Sequence, residues 1–150
     1  MVRAFIIVFL FLVVPAEGPA QEYIGLTADE VREMMRQRKD FHLDETTVNK
    51  VYRYLKYVDD LETRTILFFL SDEDVCTFYK EIYENSMLKR VQERLDSTCR
   101  RVADTLWVKE TAEGKYEKEL KRQSWFFSVT TRPLREELTT RMPDRKKEEK

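Results

Sequence analysis

Hydrophobic residues recur at three- and four-residue steps along two long stretches of the chain, which is the spacing of an amphipathic helix. The first stretch contains Val48, Val51, Leu55 and Val58. The second contains Leu88, Val91, Leu95, Val102 and Leu106, with Cys99 on the same side. Each stretch predicts a helix with one buried face and one face in water.

Helix start signals precede several of the apolar stretches. Thr27 and Glu30 have the spacing of a capping box, in which each side chain bonds to the backbone of the other residue. Asp44 is a second N-cap signal, and Ser71 followed by three acidic residues is a third, because acids suit the positive end of a helix. These signals predict helices that begin near residues 27, 44 and 71.

Residues 66–70 form an unbroken apolar run, Ile-Leu-Phe-Phe-Leu. We expect this run to lie at the buried centre of the domain, within a short helical segment at 61–70. A β-strand is the competing interpretation, because aromatic and β-branched residues also favour strands.

Two architectures compete for residues 72–108. The stretch is either one long helix or two antiparallel helices folded back at Asn85 and Ser86, where the helical pattern is interrupted. Its two cysteines, Cys76 and Cys99, are the only ones in the chain. On one straight helix, at about 1.5 Å per residue, they would lie roughly 35 Å apart, and a disulfide bond needs α-carbons within about 7 Å. A hairpin brings them to similar heights, so we expect the hairpin and a Cys76–Cys99 disulfide, with free or intermolecular thiols as the alternative.

Composition also favours helices over sheets. With three Gly and four Pro in 150 residues, the chain has few of the turn residues that a many-stranded sandwich or barrel uses. The sequence therefore predicts an all-α fold, a small bundle of about five to six helices.

The amino terminus has the pattern of a secretory signal peptide. A short basic start is followed by eleven apolar residues at 4–14, then Pro15, with small residues Gly18 and Ala20 before the expected cleavage site. The alternatives are an uncleaved anchor or a buried core helix. We expect a signal peptide at 1–20, one helical domain at 21–142 and a disordered charged tail at 143–150, with the mature chain secreted, extracellular and without a stable membrane span.

The segment 124–131 differs from the rest because it is aromatic and β-branched. It can be a last turn of helix, an extended segment or a lid across the bundle. Pro133 can begin a final short helix that reaches Met142, and Pro143 would end it.

The net charge of −1 argues against nucleic-acid binding, which normally requires a basic excess. The charge is unevenly distributed, with 9 basic and 15 acidic residues at 21–85, and 17 basic and 12 acidic residues at 86–150. The two halves can simply attract each other, which is the interpretation we favour. A basic face for an acidic partner or a membrane surface is the alternative. Its candidate residues are Arg100, Arg101, Lys118, Lys121 and Arg122.

The sequence contains no pattern typical of catalysis. The single histidine, His42, has no neighbouring cluster of metal-ligating residues, and there is no glycine-rich phosphate loop or nucleophile elbow. We therefore expect a protein that is not an enzyme and needs no cofactor or metal.

Two functional hypotheses remain. The first is a secreted, non-enzymatic protein that binds an extracellular macromolecular partner. The second is an extracellular carrier of a small apolar ligand such as a lipid, held in an aromatic-lined pocket. The candidate pocket residues are Phe68, Phe69, Phe78, Tyr79, Trp107, Trp125, Phe126 and Phe127.

Overall fold

A computed structural model describes residues 22–45 and 51–134. The helices are α1 (Ala28–Arg36) and α2 (Leu88–Thr98), and a 3-10 turn (Asn85–Met87) precedes α2. The strands are β1 (Phe41–Leu43), β2 (Tyr54–Asp59), β3 (Arg64–Leu70), β4 (Cys76–Glu84), β5 (Arg100–Ala103), β6 (Leu106–Glu110), β7 (Lys115–Arg122) and β8 (Phe126–Pro133). All neighbouring strands pair antiparallel, in the order β1-β2-β3-β4-β8-β7-β6-β5.

The two halves of the chain repeat one plan. Each half is a helix followed by a four-stranded meander, and the last strands of the halves, β4 and β8, pair at the centre of the sheet. The edge strands β1 and β5 are short, and the pairing of β5 with β6 is interrupted by a register shift. Short and irregular edges of this kind discourage the addition of further strands.

Both helices pack on the same face of the sheet, which we call the covered face. Val31 and Met35 of α1 pack in one cluster with Tyr79, whereas Val91 and Leu95 of α2 pack in a second cluster that contains Tyr83. Tyr79 and Tyr83 are four residues apart on β4 and so point to the same side. The covered face therefore holds two hydrophobic clusters, one for each half of the chain.

The all-α prediction is wrong, because most of the apolar stretches form strands. On β2, Leu55 and Tyr57 are buried and alternate with half-buried residues, which is the period of a strand and not of a helix. Val51, counted in the helical stripe, is 79% exposed. The apolar run at 66–70 lies in β3, as its competing interpretation stated.

The scarcity of glycine proved a poor argument against a sheet. Glu62 and Asp74 adopt left-handed backbone conformations, with φ of 55° and 58°, in the β2–β3 and β3–β4 turns. Non-glycine residues thus supply turn geometry that usually favours glycine. The helix expected to begin at Ser71 is also absent. The Ser71 hydroxyl oxygen instead accepts hydrogen bonds from the Glu73 and Val75 backbone N–H groups, in the turn that leads into β4.

The predicted disulfide is also contradicted, since both Cys76 and Cys99 are free thiols. The chain does reverse near Asn85, but the arm before it is β4 and not a helix. At about 3.3 Å per residue, β4 spans roughly 26 Å from Cys76 to Glu84, whereas α2 spans only about 16 Å from Leu88 to Cys99. Cys76 and Cys99 therefore lie at different distances from the chain reversal near Asn85. They also belong to different hydrophobic clusters.

The two thiols should differ sharply in reactivity. Cys76 is fully buried, and burial raises the pKa of its thiol to about 12, whereas Cys99 is partly exposed at the end of α2. Because the thiolate is the reacting form, iodoacetamide should modify Cys99 in the native protein and Cys76 only after denaturation. Peptide mass mapping would check this. Modification of neither thiol before reduction would contradict it.

Two local predictions agree with the structure. The capping box at Thr27 is present, and α1 begins directly after it. Residues 126–133 form β8, which agrees with the extended alternative for the aromatic segment. The expected signal peptide at 1–20, the helix ending at Met142 and the tail at 143–150 lie outside the described residues. No helix within 22–45 or 51–134 has the length and apolar character to cross a membrane.

Candidate functional site

The turn between β7 and β8 displays basic and aromatic side chains together. Residues 121–126, here called the basic turn, are all exposed, and Trp125 is 87% exposed. Lys121 and Arg122 end β7, and Phe126 begins β8 with 41% of its surface exposed. An exposed tryptophan on the same short turn as two exposed cations has the composition of a binding surface, since Trp and Arg dominate binding energy at many interfaces.

The basic turn is held in one conformation by hydrogen bonds and packing. The Gln123 backbone N–H donates to the Phe126 carbonyl at 2.8 Å, which closes the turn. The Asn85 side-chain amide donates to the Ser124 carbonyl at 3.0 Å, which ties the basic turn to the 3-10 turn that follows β4. Phe127 directly behind it is fully buried. A turn fixed in this way loses little conformational freedom when it binds.

A second turn with opposite charge lies at the same end of the sheet. Residues 60–62 between β2 and β3, here called the acidic turn, are Asp60, Leu61 and Glu62, and the Leu61 side chain is 81% exposed. The register places Arg64, Tyr83, Phe127 and Arg122 in one row across β3, β4, β8 and β7. Because adjacent strands lie about 4.8 Å apart, the two turns project from one end of the sheet at a separation of roughly 14 Å.

The acidic turn is also rigid. The Asp59 carboxylate accepts hydrogen bonds from the Thr63 backbone N–H at 2.7 Å, the Thr63 hydroxyl at 2.8 Å and the Arg64 backbone N–H at 2.9 Å. Burial alone raises the pKa of the Asp59 carboxyl, but these bonds and the Arg64 charge outweigh it, so the pKa lies below its usual value. The ionised carboxylate therefore stays in place and fixes the turn.

The structure separates the predicted basic face. Lys121 and Arg122 lie on the basic turn, whereas Arg100 and Arg101 lie on edge strand β5. Lys118 is 7% exposed and points into the covered face, where its ammonium contacts Glu22. Two of the five residues therefore lie on the basic turn, and the other three lie elsewhere.

The predicted pocket residues also lie in several places. Phe68 and Tyr79 belong to the α1 cluster, and Trp107 and Phe127 belong to the α2 cluster. Phe69 and Phe78 stack on each other with ring centroids 4.3 Å apart, on the face opposite the helices. Trp125 and Phe126 lie on the basic turn, beside Lys121 and Arg122. The candidate site therefore joins members of two sets that the sequence analysis had kept apart.

A buried ionic cluster lies on the covered face. The Glu22 carboxylate contacts the Lys109 ammonium at 2.9 Å and the Lys118 ammonium at 3.2 Å, and it accepts a hydrogen bond from the Tyr79 hydroxyl. Lys118 also donates to the Tyr79 hydroxyl at 3.1 Å and to the Thr131 hydroxyl at 3.0 Å. Since these groups satisfy one another, we assign the cluster a structural role that joins the segment before α1 to the centre of the sheet.

An open, polar cleft of about 420 Å³ lies beside the end of α2. Its lining residues are Ser97, Thr98, Cys99, Arg100, Val108, Lys109 and Glu110. With one apolar side chain besides Cys99, this cleft does not resemble the apolar pockets that hold small lipids. Within the described part of the chain, no group of three or more His, Cys, Asp or Glu side chains is placed to hold a metal ion.

Sequence reasoning missed the acidic turn and Glu22. The sequence pattern places Leu61 in a helix, and its position at the same end of the sheet as Trp125 depends on the pairing of β4 with β8, which no local pattern encodes. Comparison of the chain with protein-family models, with curated proteins and with solved structures finds no match.

Proposed function

We propose that this protein is a secreted, non-enzymatic binding protein that recognises an acidic macromolecular partner through its basic turn. The observation that supports the proposal most directly is Trp125, which is 87% exposed on a turn held by hydrogen bonds. Leaving a large aromatic ring in water has no benefit for folding. On a binding surface it can supply a large apolar contact.

The charge around Trp125 indicates the chemistry of the partner. Lys121 and Arg122 are exposed, and the segment 121–126 contains no acidic residue. Exposed cations beside an aromatic anchor attract acidic groups over distance and fix their orientation after contact. The partner should therefore present carboxylates around an apolar group that packs against Trp125.

Selection from a displayed random-peptide library would test the proposal. Full-length chain would be expressed with its own leader, purified from the medium and immobilised. We expect enriched peptides to combine Asp or Glu with an apolar residue, because this combination complements Trp125 and Arg122. Trp125→Ala should weaken binding of the selected peptides by about tenfold or more, the effect of losing an interface hot spot.

A matched control is Tyr52→Ala, which removes another exposed aromatic side chain just before β2, at the opposite end of the sheet from the basic turn. This variant should bind the selected peptides as the wild type does. Enrichment that is equally strong on Trp125→Ala, or no enrichment at all, would contradict the proposal.

The geometry gives less support to the carrier hypothesis. Of its eight candidate pocket residues, Phe68, Trp107 and Phe127 are fully buried in core clusters, and Trp125 is in water. Side chains that pack against one another leave no room for a ligand between them.

A further inference from the structure

We propose that the end of the sheet that carries the two turns docks onto the same end of a second copy of this chain. In this arrangement the basic turn of each copy meets the acidic turn of the other. The interface is self-complementary, as a two-fold symmetric dimer requires, because both halves of each contact are present on every copy.

Charge complementarity identifies a second copy as the occupant. One turn carries Asp60 and Glu62, and the other carries Lys121 and Arg122, so each turn has two exposed charges of one sign. Asp60 also lies 3.7 Å from His42, and Lys121 lies 3.6 Å from Glu119, but these contacts are exposed and leave the side chains accessible. A polyanion or an anionic membrane wide enough to cover both turns would be attracted by the basic turn but repelled by the acidic turn.

Apolar groups occupy matching positions on the two turns. Leu61 lies between the two acids, and Trp125 follows the two cations. When the basic turn of one copy meets the acidic turn of the other, Leu61 can pack against Trp125 or Phe126 at both contacts. The pairing would remove from water three of the five large apolar side chains that are exposed in the described residues.

The geometry favours this pairing because the turns are fixed before contact. Asp59 holds the acidic turn and Asn85 holds the basic turn, so their separation of roughly 14 Å is set by the sheet. A two-fold axis perpendicular to the sheet, midway between the two turns, places the basic turn of each copy opposite the acidic turn of the other at equal separations. Both contacts can therefore form together.

The dimer should be weak and sensitive to salt. Two turns on each side bury less than the roughly 1,200 Å² typical of stable complexes, so we expect a dissociation constant on the order of 100 µM. Exposed ion pairs are screened as ionic strength rises, and molar salt should therefore reduce dimerisation. A dimer of this kind covers Trp125 reversibly and would compete with an acidic partner.

Charge reversal gives a direct test by sedimentation equilibrium from micromolar to millimolar concentration. Asp60→Lys with Glu62→Lys makes both turns basic, and Lys121→Glu with Arg122→Glu makes both turns acidic. We expect each double variant alone to dimerise at least about tenfold more weakly than the wild type. A mixture of the two should form a heterodimer, because opposite charges then meet at both contacts.

Wild-type protein that stays monomeric at millimolar concentration would overturn the proposal. So would double variants that dimerise as the wild type does, or a mixture that forms no heterodimer. If a double variant fails to fold, Leu61→Ser tests the same contact, since this side chain is 81% exposed and serine removes the apolar group without changing the charge of the acidic turn. This variant should also dimerise more weakly than the wild type. In NMR spectra of the wild type, the indole N–H signal of Trp125 should shift as the protein concentration rises. The signal of buried Trp107 should not shift and serves as the internal control.

This inference rests on the two turns and not on the proposed function. Peptide selection that succeeds on a strictly monomeric protein would refute the dimer and leave the proposed function standing. Dimerisation with the predicted charge dependence, but without peptide enrichment, would support the dimer and refute the proposed function.

Discussion

Replacing Glu22 by glutamine should lower the free energy of unfolding by about 3 kcal/mol or more, because it removes one partner of a buried ionic cluster. The side chains of Glu22 and Lys118 are 3% and 9% exposed, so water cannot solvate the charges that remain. Glutamine has the same shape but no charge. Lys109 and Lys118 would then face each other across a neutral amide, and urea unfolding followed by circular dichroism would measure the loss.

The effect of Glu22 should depend on pH in a defined direction. Burial by itself raises the pKa of its carboxyl, but the Lys118 and Lys109 ammonium groups and the Tyr79 hydrogen bond outweigh burial and lower the pKa below 4.5. A carboxyl with a lowered folded pKa stabilises the protein fully above its unfolded pKa and loses that contribution as the pH falls through the folded value. The stability difference between wild type and Glu22→Gln should therefore be full at neutral pH and shrink below about pH 4.5.

Glu33→Gln is the matched control for this experiment. Glu33 contacts Arg36 on α1, but both side chains are more than half exposed, so this ion pair contributes little. The control should change the free energy of unfolding by less than about 0.5 kcal/mol. Equal losses in the two variants would show that the Glu22 cluster does not carry the stability assigned to it here.

The sequence identified features that depend on neighbouring residues. The capping box of α1 joins Thr27 and Glu30, which are three residues apart, and its hydrogen bonds form as expected. The chain does reverse near Asn85, but the helical hairpin expected there is wrong because its first arm is strand β4. Such signals need only a few residues and are therefore visible in the chain itself.

The sheet was missed because several of its strands have apolar residues on both faces. In β3, Ile66 and Phe68 face the helices, whereas Leu67 and Phe69 face the other side, where Phe69 stacks on Phe78. The alternation of apolar and polar residues that marks a half-exposed strand is then absent. On β2 burial does alternate, but the buried residue next to Leu55 on the covered face is Tyr57, which lies outside the helical stripe, whereas Val58 of that stripe is on the other face.

The candidate site could not be predicted because its parts are distant in sequence. Leu61 and Trp125 lie at the same end of the sheet only through the pairing of β4 with β8. Glu22 and Lys118 are likewise brought together by the complete fold. The composition of the aromatic segment at 124–131 suggested a role, but which of its rings face water is decided by the register of β8.

Replacing each of the two tryptophans by alanine provides the second large test. We expect a large loss of stability at Trp107 and almost none at Trp125. Trp107 is fully buried, and its indole N–H donates to the Asp96 carboxylate at 2.8 Å while the Arg101 guanidinium lies 4.8 Å from its ring. Trp107→Ala should lower the free energy of unfolding by about 3 to 5 kcal/mol, as expected for a large cavity in a packed core.

Trp125→Ala should change stability by less than about 0.5 kcal/mol, because the Trp125 side chain makes few contacts that folding creates. Urea unfolding followed by circular dichroism measures both variants without relying on tryptophan emission.

The comparison of the two variants also distinguishes the binding-protein hypothesis from the carrier hypothesis. If Trp107 lined an empty ligand cavity, its removal would cost little in the free protein and much in ligand binding, whereas a core residue shows the loss without any ligand present. A small loss at Trp107 would therefore contradict the packed core and restore the carrier hypothesis.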